Sequence, residues 1–112
     1  MKKQYNQLPQ VAFSILLALS LKPRHGYEIM KQVAEDSNGR ISLSPGTLYG
    51  SIKQLREQGQ IEESTSDMEQ RRRYYSITEQ GRSALEAELQ HYERSVELAR
   101  KRRAIGGAEV QL

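Results

Sequence analysis

Apolar positions along this chain change their spacing four times, and each change marks an element. From Val11 to Leu21 apolar residues fall on nearly every side: Val11, Ala12, Phe13, Ile15, Leu16, Leu17, Leu19 and Leu21. Pro9 opens this helix and Pro23 forbids its extension. A helix that is apolar all round is buried all round. In a small domain that calls for a second subunit to cover one face, with burial wholly inside one chain as the alternative. Lys22 to Arg24 reads as a turn. A second helix is expected from about His25 to Asp36, with Tyr27, Met30 and Val33 at i, i+3, i+6 and Ile29 beside them forming an inward stripe. Asn38-Gly39 ends it, since Asn-Gly is a strong turn pair. Arg40 to Leu43 is expected to add a short strand.

Ser42 to Gly59 then carries the strongest local signals. Ser44 is a good N-cap, Pro45 suits the first helical position, and Leu43 and Leu48 have the spacing of a hydrophobic staple. Gly59, able to take a positive φ, closes the far end. Leu48, Ile52 and Leu55 form the inner stripe, and Gly46, Gly50, Lys53 and Glu57 lie roughly opposite, with Thr47 and Gln54 on one flank and Tyr49 on the other. On these residues alone, a helix shaped for a groove and an ordinary exposed helix describe it equally well. Its neighbours decide.

Beyond Gly59 the period drops from 3.6 to 2. Ile61, Glu63 and Thr65 alternate with Glu62 and Ser64, and Tyr75 and Ile77 share a face opposite Tyr74 and Ser76. The polar run Ser66 to Arg72 between them reads as the loop of a hairpin. Three helices followed by a hairpin with a basic edge make a winged helix-turn-helix, whose third helix enters the major groove. Thr78 caps a last helix reaching about Arg103. Its residues Leu85, Leu89, Tyr92, Val96 and Ala99 are spaced 4, 3, 4, 3, a heptad seam flanked by Glu86, Glu88, Glu93, Arg94, Glu97 and Arg100. The fold class is therefore mainly α with a small β-hairpin: a winged-helix domain over 1–78, a dimerisation helix over 79–103, and a tail over 104–112 expected to be disordered.

Composition narrows the chemistry. With 112 residues, 37% hydrophobic and 28% charged, the chain suits one small domain. It has no Cys, which removes disulfides, thiolate catalysis and Cys-ligated zinc and suits a reducing cytoplasm. The longest apolar stretch is too short for a membrane span, and no signal peptide is expected. Net charge is only +3, but the basic residues cluster, as Arg71 to Arg73 in the hairpin and as Arg100 to Arg103. The second run offsets a helix dipole. His25 and His91 lack metal-binding spacing, and no nucleophile triad or phosphate loop stands out. No catalysis, metal or cofactor is expected.

With the elements in place, the chain resembles the PadR family of bacterial transcriptional regulators. The resemblance rests on HGYEI (His25 to Ile29), LSPGTLYGSIKQL (Leu43 to Leu55), Gly59-Gln60-Ile61 and RRRYYSITEQGR (Arg71 to Arg82). It covers about residues 9 to 103. The single C-terminal helix is similar to the compact branch of the family. Gly50 departs from the pattern, standing where the family usually has Pro. The resemblance implies a homodimer that represses a neighbouring gene and in some members releases DNA on binding a phenolic or lipophilic molecule.

The candidate DNA-binding residues are Ser44, Thr47, Tyr49, Gly50 and Lys53 on the helix and Arg71, Arg72 and Arg73 on the wing, with a pseudo-palindromic duplex as partner. Thr47 and Tyr49 offer hydroxyls, Lys53 charge, and Gly50 close approach. Phe13, Leu17, Leu85, Leu89, Tyr92, Val96 and Ala99 are the candidate dimer interface. Of these, Phe13, Leu17, Tyr92, Val96 and Ala99 could instead line an effector cavity, the closed interface being preferred. A wing that binds protein rather than DNA is the competing reading, against which three consecutive arginines speak.

Overall fold

Three of the four helices start at a residue whose side chain accepts a hydrogen bond from the first turn. In the computed structural model, which describes residues 7–67 and 72–103, these helices are α2 (Gly26–Asp36), α3 (Pro45–Glu57) and α4 (Glu79–Lys101). Their caps are His25, Ser44 and Thr78, accepting from the amides of Glu28, Thr47 and Gly81. Each contact spans three residues, which is why the starts are written into local sequence. Helix α1 (Gln10–Leu19) begins after Pro9 with no such side-chain cap.

The ends are equally local. After α3, Gly59 takes φ +74°, with its amide bonded to the Arg56 carbonyl and the Gln60 amide to that of Leu55. This is the Schellman pattern, which satisfies carbonyls that the helix leaves open. Asn38 plays the same part after α2 at φ 54°, with Asn38 bonded to Glu35 and Gly39 to Ala34. Gly50, for its part, leaves α3 unbroken.

A three-stranded antiparallel sheet has the order β1-β3-β2, with β1 at Arg24–His25, β2 at Ile61–Asp67 and β3 at Arg72–Ile77. The hairpin pairs Ile61 with Ile77, Glu63 with Tyr75 and Ser64 with Tyr74. Two expectations need correcting. Arg24, expected in a turn, and His25, expected to start the helix, form a strand against Tyr75 and Tyr74, and residues 40–43 form none. The physical reason is the same for both: strand identity depends on a partner, and β3 offers its free edge to residues 24–25.

The core gathers Ile15, Leu16 and Leu19 of α1, Ile29 and Val33 of α2, and Leu48, Ile52 and Leu55 of α3, closed by Ile61, Tyr75 and Leu85. Five of the ten residues of α1 are therefore buried inside one chain, while Leu17 stays 36% and Leu21 83% exposed. Tyr27 does not join the inward stripe of α2; it is 66% exposed, because Ile29 and Val33 already fill the interior side. Glu88 is no flank residue either. It is fully buried, and its Oε1 accepts from the Leu8 amide at 3.2 Å. The inward line of α4's first half is Gly81, Leu85 and Glu88. Leu85 is thus consumed in the chain's own core, leaving little of it for a partner copy. The tail over 104–112 lies outside the described residues.

Candidate nucleic-acid interface

Helix α3 presents an outer surface that is low and open at its N-terminal half. A Cβ placed on Gly46 or Gly50 meets no heavy atom within 4 Å. Lys53 follows on the same line, also exposed. The hydroxyls of Ser44 and Thr47 engage each other: Ser44 Oγ accepts from the Thr47 amide (3.2 Å) and donates to Thr47 Oγ1 (3.1 Å). Both side chains sit at the exposed start of the helix, so Thr47 Oγ1 keeps its own proton to donate outward.

Tyr49 is only half free. Its ring lies over Gly26 at the start of α2, where a Cβ would fall 2.9 Å from Cζ and closer still to the hydroxyl. Gly26 is the second residue of the HGYEI stretch, and its lack of a side chain is what lets α2 and α3 come together here. The ring remains 49% exposed.

The wing carries its charge unevenly. Arg72 is exposed and brings Nη1 to 3.4 Å from His25 Nε2. His25 Nδ1 already accepts from the Glu28 amide at 3.4 Å, while Glu28 Oε1 accepts from the His25 amide at 3.2 Å, a capping box. That tautomer leaves the proton on Nε2, so Nε2 cannot also accept from Arg72, and the guanidinium stays available. Arg73, by contrast, is engaged: its Nη1 donates to Glu63 Oε2 at 2.9 Å. Glu63 Oε1 lies 2.8 Å from Arg56 Nη1 on α3. Arg71 lies outside the described residues.

Beneath this charge cluster Tyr75 is 4% exposed. Burial raises its hydroxyl pKa above the ordinary 10.0, and the Glu63 carboxylate pushes in the same direction. Neither Arg56 nor Glu63 was among the sequence candidates. The alternation of the hairpin does put Glu63 on the face of Ile61, opposite Tyr75, which was the available hint.

Away from this surface, α4 and α1 expose an apolar row. Leu89, Tyr92 and Val96 are 38%, 37% and 43% exposed. Phe13 packs edge-to-face on Tyr92 with ring centroids 5.3 Å apart. Phe13, Leu17 and Tyr92 line an open groove of about 310 Å³ shared with Val33 and Ile41. Val96 lines a second, of about 450 Å³, with Leu89 and Tyr92. Ala99 lies further along α4, half-buried and in neither groove. The Tyr92 hydroxyl is raised in pKa by desolvation first, then by its hydrogen bond to Glu88.

Among the described residues no cluster of His, Asp and Glu could hold a metal ion, and no helix is long and apolar enough to cross a membrane.

Residues 15–87 match the model of the transcriptional regulator PadR-like family. The transcriptional regulator YqjI of Escherichia coli is 33% identical over 94 residues, covering 84% of this chain and 44% of that protein. The chain thus spans under half the length of that relative. Among solved structures, a PadR family transcription regulator from Clostridium difficile matches with TM-score 0.73 and 30% identity, over 83% of this chain and 97% of that one. A transcriptional regulator from Clostridium thermocellum matches with TM-score 0.71 and 26% identity, over 81% and 90%.

Proposed function

The chain belongs to the PadR-like family of transcriptional regulators, and we propose on that footing that it is a homodimeric, cytoplasmic, sequence-specific DNA-binding repressor without enzymatic activity. The open outer face of α3, from Gly46 through Gly50 to Lys53, carries this reading. A helix whose first turns lack bulk can sit deep in the major groove, with Ser44 and Thr47 at its tip and Lys53 toward the backbone. Arg72 supplies the sequence-independent phosphate contact from the wing, with Arg71 as its neighbour. Two such surfaces in a dimer read half-sites about 34 Å apart.

Dimerisation is supported by the apolar row of Leu89, Tyr92 and Val96, rimmed by Glu93, Glu97 and Arg100. A contiguous apolar surface with a charged rim is the mark of an interaction site. Phe13 and Leu17 extend it onto α1. A flat aromatic or lipophilic effector could lodge in the same place, between Phe13, Leu17 and Tyr92, and release DNA by prising the two copies apart.

The test is a gel-shift with duplex DNA from immediately upstream of the chain's own gene, run beside a scrambled duplex and beside sedimentation of the free protein. A sedimenting dimer that shifts the upstream duplex selectively, and loses it when Lys53 becomes Ala, is the expected result. If neither duplex is bound at low salt, a wing that docks a protein becomes the better account. A monomer would remove the paired half-sites.

A further inference from the structure

Two guanidiniums from different elements converge on one carboxylate. Arg56, in the last turn of α3, and Arg73, on β3, each hold one oxygen of Glu63, at 2.8 and 2.9 Å. The Glu63 side chain is 15% exposed, against 49% and 67% for the arginines. Glu63 is therefore fixed by its place on β2 above Tyr75, and the arginines come to it from the solvent side. The covalent joint between α3 and the wing is short and bends at Gly59, φ +74°. Thr78 Oγ1 and Gln80 Nε2 hold that joint by donating to the carbonyls of Gly59 and Gln58, at 2.7 and 3.0 Å. Glu63 is the next tie outward along the hairpin, and two ties at different distances from a bend define an angle.

From this geometry we propose that Glu63 is a positioning residue for DNA reading. It sets the tilt of the wing against α3 and holds back two arginines that would otherwise seize phosphate wherever duplex is met. The inference rests on the DNA-binding reading above. The chemistry is that of charge and place. Phosphate contacts carry no sequence information, so loose cations raise affinity for every duplex alike. A carboxylate shared by two cations lowers that general attraction and leaves both side chains pointed where the groove of a correctly docked duplex can use them.

The variant Glu63→Gln keeps the shape and removes the charge. Both guanidiniums reach Glu63 from solvent and go back to solvent when released, and the Gln amide can still hydrogen-bond at that position, so the variant keeps its fold. On a scrambled duplex its affinity should rise by about 3- to 10-fold at low salt, with the log–log salt slope steeper by roughly 1 to 2. On the upstream duplex the gain should be smaller or reversed, so that the ratio of the two affinities drops about tenfold. Glu63→Asp, which keeps the charge, should recover part of that ratio. In the free protein, amide exchange in β2 and β3 should quicken in Glu63→Gln while α4 is unchanged. A merely structural role would lower both affinities together and leave the ratio alone, and that result overturns the proposal, as does unaltered exchange in the wing. If the unmodified chain binds neither duplex, the DNA reading falls and the specificity role with it, while the exchange contrast still reports whether Glu63 holds the wing.

Discussion

Gly50→Ala separates what α3 needs as a helix from what it needs as a reading surface. Gly50 lies in the interior of a 13-residue helix, exposed, with no heavy atom within 4 Å of an added Cβ. Nothing in the fold resists the methyl group. In an exposed helix interior Ala is favoured over Gly by about 0.8–1.0 kcal/mol, because the unfolded chain loses freedom it would otherwise regain. For a chain of this size that gain corresponds to a rise in melting temperature of roughly 3–7 °C. Thermal unfolding followed by circular dichroism would read it, at one fixed protein concentration because the midpoint of an associating protein depends on concentration. On DNA the sign should reverse. If the duplex approaches the backbone at Gly50, the methyl occupies that contact, and a misfit of this kind costs about 1–2 kcal/mol, or roughly 5- to 30-fold in affinity. A stabilised protein with weakened binding is the expected pair. Higher stability with unchanged affinity would show that DNA does not press on Gly50, and no gain in stability would refute the open environment itself.

Other substitutions probe the remaining joints. Gly81→Ala should destabilise by about 1–3 kcal/mol in a denaturant titration, because its Cβ would strike the Gln60 carbonyl, which is backbone and cannot step aside. Gly26→Ala should be milder, since the Tyr49 ring it meets can swing outward, and Tyr49→Ala in the same chain should relieve it. Glu88→Leu leaves the Leu8 amide without its acceptor and should cost about 1–3 kcal/mol, whereas Glu88→Gln, keeping an oxygen, should cost less. Tyr75 has its pKa raised in the fold by burial and by Glu63, so the folded chain holds that proton longer than the unfolded one. Its contribution is intact below pH 10 and is lost as pH rises beyond it, so urea midpoints should fall more steeply above pH 10 in the unmodified chain than in Tyr75→Phe. Arg72→Ala should flatten the log–log salt slope of duplex binding by about 0.9, with affinity falling on all sequences alike.

Helix starts and stops were determined by the sequence itself. Ser44, Thr78, Asn38 and Gly59 act through hydrogen bonds that reach three to five residues, so their partners are already specified in the local string. The same holds for the inner stripe of Leu48, Ile52 and Leu55 and for the alternation that pairs the hairpin. His25 with Glu28 three residues on had the spacing of a capping box, and was legible in principle. What tertiary structure decided involves partners far away in sequence. Two residues at 24–25 carry no strand signal, and become one because β3 passes beside them. Glu88 sits on the buried line with Gly81 and Leu85, at spacings of seven and three. Periodicity alone pointed to the neighbouring seam, since a carboxylate is rarely placed in a core, and the Leu8 amide and the Tyr92 hydroxyl help to make that burial tolerable. The basic edge of the wing shows the division most clearly. Sequence places the arginines there, but whether each guanidinium is free or held depends on which carboxylate the fold sets against it. For Arg73 and Arg56 that carboxylate is Glu63.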